Sequence, residues 1–290
     1  VGALMTTYPV SGPADVRVEL QMGRIDVVAE SRRDLAVEIA PANPHRAGDR
    51  SAADAVRVTQ AGSDLRIVGP VRFNLFGSGD SVDVSVRIPA GSDVSLALKY
   101  GSIRVAGGVG TARIALDYGD ATLERTGRAD LGLGHGELRV EHVRGDADVS
   151  ITSGRARIGI VDGALRLKGS DAGIDVGSVS GVADIATSSG VVHLGDPGPS
   201  LTVRSAYGPV RIGDLNGGTA RVEASYGAVD LGIRSGTAAW LDLSSRHGAV
   251  RNELAAATGP VEGESSVELY ARAGYGDITV HRTHPVAGGD

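Results

Sequence analysis

From Gly101 to Val280 apolar and polar residues alternate in short runs, and a Gly flanked by such a run returns about every eighteen positions. The runs read Tyr-Gly-Ser-Ile-Arg-Val at 100–105, Tyr-Gly-Asp-Ala-Thr-Leu at 118–123 and His-Gly-Glu-Leu-Arg-Val at 135–140. Further copies begin at Ser153, Ser189, Tyr207, Tyr226 and Tyr275. Alternation with a period of two predicts half-buried strands, and so short a repeat predicts stacked coils rather than a closed globule. A second series, Gly110, Gly127, Gly145, Gly163, Gly181, Gly198, Gly217 and Gly236, keeps step with the first. Two turn glycines per repeat imply two strands per coil.

Side-chain alternation then assigns the core. One strand of each coil turns inward Ile114 and Leu116, Leu131 and Leu133, Val149 and Ile151, Val222 and Ala224. The other contributes Ile103 and Val105, Leu138 and Val140, Val192 and Leu194, Val210 and Ile212, Val229 and Leu231. Full burial of each is worth about 1.5–3 kcal/mol, which offsets the ordering of the backbone only when coils stack on both sides. Around 170–175 the Gly slips by one, yet Ile158, Val176, Leu194 and Ile212 keep the spacing, so core register outranks turn register.

Upstream, strands are predicted at Val16–Leu20, Arg24–Val28, Ala36–Ile39, Val56–Thr59, Asp64–Val68 and Val82–Ile88, with a loop over Pro41–Asp54. The domain reading is an N-terminal segment over 1–13, a β region over 14–98 that caps the solenoid, repeats over 99–282 with a loop insertion at 253–268, and a disordered tail over 283–290. Trp240 adjoins an expected core strand and is read as packed.

Composition narrows the shape and the function classes. With 43 Gly, 2 Phe and 1 Trp in 290 residues, the interior must be thin and filled by Val, Ile, Leu and Ala. The net charge of −6, with both signs interspersed, gives no pull toward nucleic acid, and no nucleic-acid partner is expected. There is no Cys, hence no disulfide framework and no thiolate metal site. No apolar run approaches membrane-spanning length and no export signal is visible, so the expectation is a soluble, cytoplasmic protein without an integral membrane segment.

Candidate chemistry is confined to outward columns, where equivalent residues lie about 4.8 Å apart. One column runs Arg104, Thr122, Arg139, Arg157, Asp175, His193, Arg211, Asp230 and Arg251. Its arginines suit an anionic ligand, while Asp120, Glu137 and Asp277 beside them suit mutual ion pairing. On the opposite face Asp130 and Asp148 are candidates for a calcium-assisted site, bracketed by Arg113 and Arg166, which can neutralise them. The small residues Ala115, Gly132 and Ser150 permit close approach of a second surface and so self-association.

A corner column, Tyr100, Tyr118, His135, Ser153, Ser189, Tyr207, Tyr226, His247 and Tyr275, offers either sugar-stacking platforms or rings that cover one another. Phe73 and Phe76 form an exposed contact or a plug for the solenoid end. His281 and His284 are a weak metal candidate, and no nucleophile-and-base, zinc-protease or phosphate-loop motif is present, so neither catalytic residues, metal nor cofactor are assigned.

With the repeats laid out, the chain resembles the bacterial adhesin-like β-strand-repeat proteins of the Toastrack type. The resemblance rests on Tyr207-Gly-Pro-Val-Arg-Ile, on Leu241 to Asn252 (LDLSSRHGAVRN) and on Tyr275-Gly-Asp-Ile-Thr-Val, and extends to Gly23-Arg-Ile-Asp-Val and Ser81 to Pro89 (SVDVSVRIP). It implies an all-β, right-handed parallel β-solenoid of a family with no established activity and no catalytic residues to transfer. The expectation is a non-catalytic interaction or assembly scaffold whose partner is another protein or a second copy. The alternatives are a carbohydrate-active β-helix working through Asp130 and Asp148, and a filament growing from unpaired edges.

Overall fold

The structure, a computed structural model, describes residues 5–70, 79–255 and 265–283. The chain is 76% strand and 3% helix, with a long, mostly parallel sheet that does not close into a barrel. It divides into two compact units, Val1–Gly145 and Asp146–Asp290.

The first unit holds β1 (Met5–Pro9), β2 (Asp15–Glu30), β3 (Asp34–Pro41), α1 (Ala47–Asp54), β4 (Arg57–Ala61), β5 (Asp64–Val68), β6 (Val82–Pro89) and β7 (Asp93–Val143). β7 runs 51 residues because its backbone stays extended around each corner. β2 lies parallel to the start of β7, from Asp15↔Asp93 to Ala29↔Gly107. Its other edge is taken by β5, at Asp15↔Asp64, and by β6, at Gly23↔Val82. Antiparallel strands then cover this outer rung, β4 along β5 and β3 along β6, with β1 along β3. An exposed ladder edge is thereby blunted.

The expected loop over Pro41–Asp54 is corrected in its second half, where α1 forms. The Asp49 carboxylate, 1% exposed, accepts the backbone N–H groups of Asn43 and Ser81 at 3.1 and 3.2 Å and meets Arg46 at 3.4 Å. Composition alone marked this segment as loop because the partner that rewards the helix, Ser81, lies 32 residues away.

The second unit holds β8 (Ala147–Val161), β9 (Leu165–Val179), β10 (Val182–Ser189), β11 (Val192–Pro197), β12 (Ser200–Tyr207), β13 (Val210–Leu215), β14 (Gly218–Tyr226), β15 (Val229–Arg234), β16 (Thr237–Ser245), β17 (Val250–Asn252), β18 (Ser265–Tyr275) and β19 (Ile278–Thr283). Ile158, Val176, Leu194 and Ile212 pair in turn, as their spacing predicts. A second core column alternates small and large, Ala147, Leu165, Ala183, Leu201 and Ala220, so each Leu fills space left by the Ala above and below. Every residue of the predicted inward set is buried.

At the C-terminal end the strands leave sequence order. β18 is parallel to β14 on one side, at Tyr226↔Tyr275, and to β16 on the other, at Leu241↔Leu269. β19 likewise separates β15 from β17. Two expectations are corrected here: Ser265–Glu268, assigned to the insertion at 253–268, belong to β18, and Thr283, assigned to the tail, closes β19. Asp230 and Arg251, expected as neighbours, are separated by Thr279. Among the described residues no helix is long and apolar enough to cross a membrane.

Candidate interaction surfaces

The corners are built by glycine. Gly119 has φ +133°, and a Cβ there would lie 1.7 Å from the Gly101 carbonyl oxygen, so only hydrogen fits. That close approach sets the preceding side chains face to face. Tyr100 and Tyr118 stack at 5.1 Å and 7°, and Tyr118 and His135 at 4.7 Å and 10°. In the second unit Tyr207 and Tyr226 stack at 5.0 Å, Tyr226 and Tyr275 at 4.9 Å, and Tyr275 and His247 at 4.4 Å. Rings whose faces meet one another present edges and hydroxyls to solvent, the geometry that covers the corner. An inner ring such as Tyr226 has no open face for a sugar.

The charged columns are ladders of mutual pairing. Arg139 meets Glu137 at 3.0 Å, His193 meets Asp175 at 3.1 Å, and Arg251 meets Asp277 at 2.7 Å, while Arg157 is also engaged. The backbone N–H of Ala249 and then Arg251 hold the Asp277 carboxyl below the usual range. On the other face Arg166 approaches Asp148 at 3.9 Å, as expected of a neutralising neighbour. Asp130 lines a shallow trough with Arg17, Glu19 and Arg113. Exposed pairs of this kind contribute little to stability, because solvent screens them.

His281 sits in β19 and pairs with Asp230 at 3.2 Å, whereas His284 lies outside the described residues. Among the described residues no three His, Cys, Asp or Glu side chains converge as metal ligands would. Ala115 is exposed and Gly132 half-buried in the first unit. Ser150, in the second, pairs with Lys168, so the small-residue column is interrupted at once by a long cation. Phe73 and Phe76 lie outside the described residues.

Two surfaces escape the sequence reading. The first is a bridge in the second unit, where the Arg234 Nε donates to Asp214 at 2.7 Å and its Nη2 meets Asp196 at 3.3 Å. Thr283 adds a 2.6 Å hydrogen bond to Asp214. Burial pushes the Asp214 carboxyl up, but the hydrogen bonds from Arg234 and Thr283 outweigh it and hold it below the usual range. The second surrounds Trp240, expected to be packed but 55% exposed. Its ring meets Tyr270 at 5.1 Å and 56°, and the Arg221 guanidinium lies 4.9 Å over the Tyr270 ring. These residues adjoin only because β18 enters between β14 and β16, a pairing without a local signal.

No protein-family model and no curated protein matches the chain. Among solved structures it is similar to a candidate adhesin from Parabacteroides merdae, at 10% identity over 96% of this chain and 95% of that one, with a TM-score of 0.40. A candidate adhesin from Bacteroides fragilis matches at 12% identity over 97% of both chains, TM-score 0.29. A candidate lipid-binding protein from Parabacteroides distasonis matches at 9% identity over 96% of both, TM-score 0.33. At TM-scores of 0.40 and lower these likenesses assign no family, ligand or role to this chain.

Proposed function

We propose that this chain is a non-catalytic, adhesin-like interaction scaffold: a right-handed β-solenoid with two strands and about eighteen residues per coil. The spacing is supported by the successive parallel pairs Ile158, Val176, Leu194 and Ile212, and the hand by the right-handed sense that parallel strand connections adopt. The observation that carries the functional reading is the use made of the outward side chains. They pair sideways, rung to rung, in Arg272–Asp242, Arg204–Asp184, His193–Asp175 and the tyrosine stacks. Such ladders build broad, fixed surfaces of regular spacing, suited to recognition over an area by a protein partner or a second copy.

The test is binding without turnover. Affinity capture with the full chain should retrieve a partner whose retention falls in the Tyr207→Ala/Tyr226→Ala double variant or in Arg139→Ala or Arg157→Ala taken singly, or light scattering should show self-association lost in the same variants. Calcium-dependent cleavage of a polyuronate, abolished by Asp148→Ala, would overturn this reading and establish the enzyme alternative.

A further inference from the structure

We propose that the outward face centred on Trp240 is a platform for the pyranose ring of an uncharged glycan. The proposal rests on the scaffold reading and names a ligand class for one of its faces. Three adjacent strands present a three-by-three grid: Thr219, Arg221 and Glu223 on β14, Glu268, Tyr270 and Arg272 on β18, and Trp240, Asp242 and Ser244 on β16. Beneath β14 and β18 the alternate residues Ala220, Val222, Leu269 and Ala271 are buried in the core, while Leu241 and Leu243 beneath β16 are half-buried.

Three features select the ligand. The inner corner rings of Tyr226 and Tyr275 spend both faces on their neighbours in the stack, whereas Trp240 meets Tyr270 at 56° and keeps 55% exposure. A large aromatic face of this kind takes up a flat, partly apolar ring. The surrounding groups are hydrogen-bonding and nearly charge-balanced: two arginines stand against Glu223, Glu268 and Asp242, with Arg272 already bound to Asp242 at 2.6 Å. A polyanion finds no net attraction there. A cationic ligand is disfavoured too, because Arg221 already occupies a position 4.9 Å over Tyr270. What remains matched is a ring with an apolar face and hydroxyls at its rim, for which Glu268, Glu223, Thr219 and Ser244 supply donors and acceptors.

The chain has 1 Trp, so its fluorescence reports on this face alone. Titration of the full chain with a panel of neutral oligosaccharides, α- and β-linked hexose, N-acetylhexosamine and pentose oligomers, should give a saturable emission change with at least one class. Calorimetry should then show binding weakened at least tenfold in Trp240→Ala and in Tyr270→Ala, partly retained in Trp240→Phe, and unchanged in Ile160→Ala, which truncates an exposed apolar side chain of β8 away from this face, with far-ultraviolet circular dichroism confirming that each variant is folded. Silence across the panel, or undiminished binding by Trp240→Ala, would overturn the platform. Retention of a protein partner by Trp240→Ala together with that silence leaves the scaffold reading standing, whereas turnover of a bound sugar leaves the platform standing and removes the scaffold.

Discussion

Single residues set the tightest constraints at the corners. Gly119→Ala places a methyl group 1.7 Å from a carbonyl oxygen at a φ of +133°, and should cost more than about 2 kcal/mol in urea denaturation. Gly62 also has positive φ, but nothing lies within 4 Å of its Cβ position. Gly62→Ala should therefore cost only the conformational part, about 1–2 kcal/mol. If the two variants were equally stable, close approach of the rungs would not be what selects Gly. The Asp214 carboxyl makes an acid-sensitive counterpart. Its folded pKa is depressed through Arg234 and Thr283, so its contribution is complete above the unfolded value of about 4 and is lost as pH falls through the folded one. The urea midpoint should fall with acidification below about pH 4, and less steeply in Arg234→Gln, which removes the ion pair.

Elements are held by columns rather than by individual contacts. Leu201, 1% exposed, lies between Ala183 and Ala220 in the alternating column. Two small neighbours have little side chain with which to fill the space it leaves. Leu201→Ala should consequently fall in the upper part of the usual range, about 4–5 kcal/mol, and Ala220→Leu should not rescue it fully because its side chain enters from another rung. Val203→Ala, in the neighbouring column between Ile185 and Val222, should cost less, about 2–3 kcal/mol, because large neighbours can relax inward. Equal losses in the two variants would show that the alternation has no part in packing.

Across the whole chain, the same device recurs in both units. β2, near the start of the sequence, has parallel neighbours on both edges, and so do β18 and β19 near its end. The outermost parallel strands are instead β5 and β6 in the first unit and β16 and β17 in the second, the latter carrying exposed Val250 and half-buried Leu241 and Leu243. Edge strands ordinarily exchange first, because they lack a partner on one side. Here hydrogen exchange should run against sequence position: amides of β2, β18 and β19 should exchange as slowly as those of β12, and amides of β17 should exchange fastest among the strands of the second unit. Rapid exchange across β18 would contradict the interleaved order.

Sequence alone dictates which side chains point inward, because alternation along an extended strand is a local property and each residue carries its own vote: Ile103, Leu131, Val192 and Leu231 are all buried as the pattern requires. It also determined the middle of the ladder, where the partner of Val176 is simply the next repeat, Leu194. Mutual pairing on the outward faces followed from the same columns. Tertiary structure alone decided three things. It made a helix of Ala47–Asp54, through a buried carboxylate answering a backbone group at Ser81. It placed β18 between β14 and β16, since any strand with the right alternation satisfies the same ladder and only packing chooses among them. That choice in turn brought Arg221, Tyr270 and Trp240 together, a surface whose parts lie on three strands and whose neighbours no repeat period could name.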